Sequence, residues 1–161
     1  MSTIAASTAT APTPGAMHSP LERAHRTLVP YFLTMLGLNA LLQAVIALTG
    51  SRIGLLSGLL LAVVAVAYVA YLLTLGRPLS RVRYGSLIAH VITYATVNVG
   101  FGLHAMILLA TGSPAIAGDG LAPIDPRWIG AALVMPSVWG LGLLAHMFGA
   151  LMGRGFEKAP A

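Results

Sequence analysis

"IGLLSGLLLAVVAVAYVAYLLTLG", residues 53–76, runs from Arg52 to Arg77 without one Asp, Glu, Lys, Arg or His. A helix rises about 1.5 Å per residue, so roughly 20 such residues cross the ~30 Å hydrocarbon layer of a bilayer. Three more stretches are free of Asp, Glu, Lys and Arg: Arg26 to Arg52, Arg83 to Asp119, and Arg127 to Arg154. The pattern predicts four transmembrane helices near 28–49, 53–75, 86–110 and 128–151. The expected fold class is therefore all-α, an integral membrane four-helix bundle made of two transmembrane helical hairpins.

Composition supports lipid as the surrounding medium. Only 8% of the 161 residues are charged and 57% are hydrophobic, with a mean hydropathy of +0.86. Soluble domains carry roughly 25% charged residues. The net charge of +5 does not point to nucleic acid, because binding there needs a clustered soluble basic surface. Here the basic residues flank apolar runs, which is a topology signal. No cysteine is present, which excludes disulfides and thiolate metal sites.

Arg23, Arg26, Arg77, Arg81, Arg83, Arg154 and Lys158 fall on one side of a four-span arrangement, and Arg52 and Arg127 on the other. By the excess of Lys and Arg in cytoplasmic loops, both termini are expected in the cytoplasm of a cell whose inner membrane holds the chain. Residues 1–25 read as a disordered cytoplasmic tail lacking the basic start and apolar core of a signal peptide. Residues 26–80 then form the first hairpin, 81–153 the second, and 154–161 a short cytoplasmic tail. Between the third and fourth spans, "GSPAIAGDGLAPIDPR" (112–127) reads as a loop. It ends at Asp125, a helix N-cap, followed by Pro126 in the first turn.

Within the third span, "HVITYATVN" (90–98) places His90, Tyr94 and Asn98 at every fourth position, on one helical stripe. Helix rise puts His90 and His146 at nearly the same depth on antiparallel neighbours, with Asn98 and Trp139 two turns deeper. The expected pairs are His90 with His146 and Asn98 with Trp139. Their default role is a polar clamp, since an unpaired amide, imidazole or indole in hydrocarbon seeks a partner across the helix interface. The sharper role is cofactor binding by His90 and His146, as axial ligands of a haem b or as holders of a metal or quinone. The residues themselves call for no resident cofactor, no metal set and no catalytic group. Ala145, Gly149 and Gly153 form a small-residue edge suited to close contact with a partner membrane protein or a second copy. Pro136 sits mid-span and should disturb the fourth helix.

A shift of 59 positions lays the first span on the third: Leu28 on Leu87, Tyr31 on His90, Thr34 on Thr93, Met35 on Tyr94 and Asn39 on Asn98. This suggests two related hairpins in tandem. The second one, through His90, Tyr94 and Asn98 and then Trp139, Gly140, Gly142 and His146, resembles the 2TM domain family, bacterial pairs of membrane helices. The resemblance covers roughly residues 84–152, with a longer inter-helix loop than the family usually has. It implies architecture and membrane location, sometimes beside signalling domains, and no chemistry of its own.

No Asp or Glu lies within a span, so a proton-coupled transporter has no evident coupling carboxylate. No HxxxH pattern supports a di-iron hydroxylase. Ser137 and His146 lie nine positions apart on one helix, pointing opposite ways, which argues against a hydrolase pair. The expected role is non-enzymatic, as membrane scaffold, subunit or sensory module. The alternatives are a small haem- or quinone-binding redox subunit using His90 and His146 and, more weakly, an oligomeric transporter or channel.

Overall fold

A computed structural model of the chain describes residues 20–77, 79 and 84–152, with the backbone alone for 20, 21 and 23–25. Four helices account for it: α1 (Pro20–Leu48), α2 (Leu55–Leu73), α3 (Gly85–Ala110) and α4 (Pro126–Leu151). All four are long and apolar enough to cross a membrane, and the class is all-helical as expected. Arg81, Arg83, Gly153, Arg154, Lys158 and the 154–161 tail lie outside the described residues, as do residues 1–19.

One boundary differs. The helix expected from residue 28 begins at Pro20, so residues 20–25 of the anticipated 1–25 tail belong to α1. The sequence Ser19-Pro20-Leu21-Glu22 explains the early start. It carries the Ser-x-x-Glu capping pattern with proline at the first helical position, and Glu22 complements the positive helix end.

The helices pack in the spatial order α2, α1, α3, α4, with α3 packed extensively against both α1 and α4. On α1 the buried positions are Tyr31, Met35, Asn39, Leu42 and Ile46, spaced by three and four. On α3 they are Gly85, Ala89, Thr93, Val97, Phe101, Ala105 and Leu108, again spaced by four and three. Both spacings keep a single face turned to the neighbour. Small or β-branched residues at 89, 93 and 97 let the two backbones approach. The outer helices are the more exposed: 28% of the best apolar window is buried in α1 and in α3, against 11% in α2 and 6% in α4.

The connections are tied by backbone geometry. Between α1 and α2, Gly50 and Ser51 take positive φ values of 89° and 55°, a conformation that suits a tight reversal. The long loop before α4 folds on itself through a bridge of Ala117 with Ile124, and Ile116 is buried beneath it. Asp125 then caps α4, its Oδ1 accepting from the Arg127 N–H at 2.8 Å, with Pro126 next in line as expected.

The disturbance expected at Pro136 takes the form of a π-helical turn over Gly130–Val134, in which the Met135 N–H reaches back to the Gly130 carbonyl. Proline cannot donate to the carbonyl four residues earlier, and a widened turn is one way a helix absorbs the loss.

Trp128, in the first turn of α4, is 1% exposed and donates from Nε1 to the Ser51 carbonyl at 3.1 Å. That bond joins the start of α4 to the α1–α2 connection. Trp128→Phe keeps most of the packing and removes the donor. It should lower stability by about 0.5–1.5 kcal/mol in a detergent-micelle unfolding titration. Trp128→Ala should cost distinctly more, because it also empties the site.

Candidate functional site

On α3 the deep interior stripe, 89-93-97-101, lies one residue before the polar stripe 90-94-98. One residue is about 100° of helical rotation. The first stripe faces α1, and side chains of the second, His90 and Tyr94, reach α4.

His90 and His146 meet directly, with ring centres 4.7 Å apart and planes inclined by 35°. His90 Nδ1 lies 2.7 Å from the Ser86 carbonyl one turn earlier. A carbonyl only accepts, so this nitrogen carries a proton. Tyr68 of α2 approaches His90 edge-on at 5.6 Å. The hydroxyl of Tyr68 and Nε2 of His146 are buried and have no hydrogen-bond partner among the described residues. Three helices thus bring two imidazoles and a phenol to one level.

The second expected pair is displaced. Trp139 packs edge-on against Tyr94, ring centres 5.8 Å apart, and Asn98 donates from Nδ2 to the Tyr94 carbonyl at 2.7 Å. The rung anticipated as Asn98 with Trp139 is therefore Tyr94 with Trp139. The amide satisfies itself by folding back one turn along its own helix, which costs less order than reaching across the seam.

Tyr94 does more than fill space. Its hydroxyl donates to the Pro136 carbonyl at 3.1 Å. A Cβ placed on Gly140 would sit 3.1 Å from the same oxygen. Gly140 therefore allows the phenol to lie against α4. A Cβ on Gly142 would meet nothing within 4 Å, so the two glycines of "WGLGLLAH" do different things.

On the α1 side, Thr93 donates to the Ala89 carbonyl at 2.9 Å. Its proton is thereby spent, so the Tyr31 hydroxyl is the donor in the contact between the two side chains. Asn39 repeats the behaviour of Asn98, donating to the Met35 carbonyl at 3.1 Å and leaving Oδ1 buried and unmet, as Oδ1 of Asn98 also is. The two asparagines matched by the shift of 59 thus make the same contact.

A second polar node went unread in the sequence. His104 pairs with Gln43, Nδ1 to Oε1 at 2.9 Å, and with the Ser51 hydroxyl, Nε2 to Oγ at 3.3 Å. Its ring lies 5.0 Å from that of Trp128. Its partners Gln43 and Ser51 are distant in sequence and lie on other elements. Only the histidine itself signalled the node.

Among the described residues, no group of three or more His, Cys, Asp or Glu side chains could hold a metal ion. The histidine pair does not suit an axially held haem either. Two imidazoles bonded at about 2 Å on opposite sides of one iron keep their ring centres about 6 Å apart, with the porphyrin between them. At 4.7 Å the rings face each other. No protein-family model, curated protein or solved structure matches the chain.

The Gly140 contact gives a direct check. Gly140→Val should destabilise the protein by about 1–3 kcal/mol through crowding of the Tyr94 hydroxyl. Combining it with Tyr94→Phe, which removes that oxygen, should recover part of the loss in the same unfolding titration. Strict additivity of the two changes would show that the phenol does not lie against Gly140.

Proposed function

We propose that this protein is a non-enzymatic module of a bacterial inner membrane, a scaffold, subunit or sensory element that works through helix contacts. Both termini lie in the cytoplasm in this reading, supported by the seven-to-two division of Lys and Arg between the two sides. The second hairpin is read as a 2TM-like unit. Support comes from how the matched residues gather: His90 against His146, Tyr94 against Trp139, and Tyr94 against Gly140.

One observation carries the reading. Most polar side chains of the spans bond to their own helix or to a neighbour within the bundle, while α4 is left with the least buried window of the four helices, 6%. Its outer surface carries Leu133, Val138, Leu141 and Phe148, all exposed, beside Ala145. A face of small and large apolar residues can rest in lipid or take another helix closely. The proposed contact is with a second copy, through the edge formed by Ala145, Gly149 and Gly153.

A second reading, a small redox subunit, is favoured by the unmet Tyr68 hydroxyl and His146 Nε2 beside His90. A phenol and an imidazole at one level could hydrogen-bond a quinone carbonyl, a better match to the ring spacing than a haem.

The absence of native cysteine makes cross-linking a clean test. Ala145→Cys and Gly149→Cys, oxidised mildly in native membranes, should give disulfide-linked dimers. Leu41→Cys, exposed on α1, should not. If all three stay monomeric, contact between copies through this edge is wrong. A quinone extracted in stoichiometric amount, and lost in His146→Ala, would instead favour the redox reading.

A further inference from the structure

A groove of about 360 Å³ runs along the α1–α3 seam and is lined by residues of those two helices. Leu36 of α1 and Val99 and Leu103 of α3, all exposed, line it together with the small residues Ala40, Ala95 and Gly100. Leu103 stands nine positions from Tyr94, which at about 100° per residue is the opposite side of α3. The groove therefore opens away from α4. From Leu36 to Gln43, or from Ala95 to Leu103, it extends about 10–12 Å, the length of two helical turns.

Asn39 and Gln43, one turn apart on α1, also line it. Gln43 Oε1 accepts from His104 Nδ1 at 2.9 Å, and Asn39 Nδ2 donates to the Met35 carbonyl at 3.1 Å. Each amide thus has one end engaged. The other ends, Gln43 Nε2 and Asn39 Oδ1, are buried and have no hydrogen-bond partner among the described residues. One is a donor and the other an acceptor. A Cβ on Gly100 would lie 3.3 Å from Gln43 Nε2, so the glycine gives that amide its room beside the groove.

Depth limits what can answer the two atoms. Asn39 is thirteen positions from Arg26 and thirteen from Arg52, about 20 Å of helix rise either way, and so sits near the middle of the span. An acyl chain reaches this level but carries no donor or acceptor. Its headgroup stays about 15 Å away, at the edge of a ~30 Å core. Bulk water is excluded there. A second copy set groove to groove would oppose two hollows. What fits is a membrane-spanning helix that brings one polar side chain to mid-depth. A carboxamide suits both atoms, because its carbonyl accepts and its NH2 group donates, and the small residues let a helix approach closely.

We propose that this groove seats a transmembrane helix of a partner protein with one Asn or Gln near its midpoint, whose amide accepts from Gln43 Nε2 and donates to Asn39 Oδ1. The proposal rests on the reading of this protein as a scaffold or subunit, and it names the partner's chemistry.

The test uses the full chain in phosphatidylcholine vesicles, labelled with a fluorescence donor at Leu48→Cys, an exposed position at the end of α1 in a chain with no native cysteine. The probe is a synthetic Lys-flanked polyleucine helix of about 22 residues carrying an acceptor dye. It has one Asn at its centre, one Asn two turns off centre, or none, and is diluted until it shows no self-association. The central-Asn peptide should bind roughly ten-fold more tightly than the other two, the factor that two interhelical hydrogen bonds provide. Asn39→Leu/Gln43→Leu should remove that advantage and leave binding of the plain peptide as it was. Ala40→Phe, at an exposed position lining the groove, should abolish binding of all three while the melting temperature is kept. Equal binding of the three peptides overturns the proposal, as does a central-Asn advantage that survives the double substitution. Energy transfer between donor- and acceptor-labelled copies of the chain, lost in Ala40→Phe, would assign the groove to a second copy and overturn it too. Cross-linking at Ala145 and Gly149 reports on the α4 contact separately, so the two readings fail independently.

Discussion

Hydrocarbon offers no hydrogen bonds, and a polar group in a membrane span is costly unless it finds a partner inside the protein. That constraint organises this bundle around α3. Its interior stripe, Ala89, Thr93, Val97 and Phe101, packs on α1. About 100° around the same helix, His90 and Tyr94 meet His146 and Trp139 of α4. One helix thus serves two neighbours with two faces of different chemistry. The face toward α1 is mostly apolar, with Thr93 and His104 as its polar contacts, and the face toward α4 is aromatic and polar.

Two kinds of solution to the same constraint recur. Thr34, Thr74, Thr93, Thr96, Thr111, Ser137, Asn39 and Asn98 fold back to a carbonyl four residues earlier. These groups cost little and, apart from Thr93, which also accepts from Tyr31, join nothing. Tyr31, Tyr71, Tyr94, His104 and Trp128 reach another element, and they define how the helices sit. Four of these five bonds lie toward the two ends of the bundle, and Tyr94 holds the middle of the α3–α4 seam. Tyr31 and Tyr71 serve the end where α1 begins, while His104 and Trp128 serve the end where it stops. Register between helices is thereby pinned at both ends. Such bonds contribute only about 0.6 kcal/mol each on average, so their main effect is on geometry.

Much of this was legible in the chain. The four uncharged runs, the helix start at Asp125-Pro126 and the common depth of His90 and His146 follow from composition, capping chemistry and helix rise. Four features were not. The start of α1 at Pro20 was hidden because an Ala/Ser/Thr-rich, uncharged segment precedes a capping pattern that only a local reading reveals. The Asn98–Trp139 pair was expected from depth alone, which cannot weigh a cheap self-contact against a contact across the seam. The His104 node joins residues 43, 51, 104 and 128, and no spacing rule connects positions so far apart. The true interior of α3 also escaped notice, because Ala89, Thr93 and Val97 carry no chemistry that marks them out from their neighbours.

The measurement that bears most directly on this arrangement is a ring-to-ring correlation by solid-state NMR. It would use the protein in lipid bilayers with carbon-13 only in its histidine side chains. The chain has five histidines, few enough to assign by substitution. Ring centres 4.7 Å apart predict a strong cross-peak between His90 and His146 that disappears in His146→Ala, and none from either ring to His104. Resolved signals for His90 and His146 without a cross-peak between them would mean that α3 and α4 do not meet through this stripe.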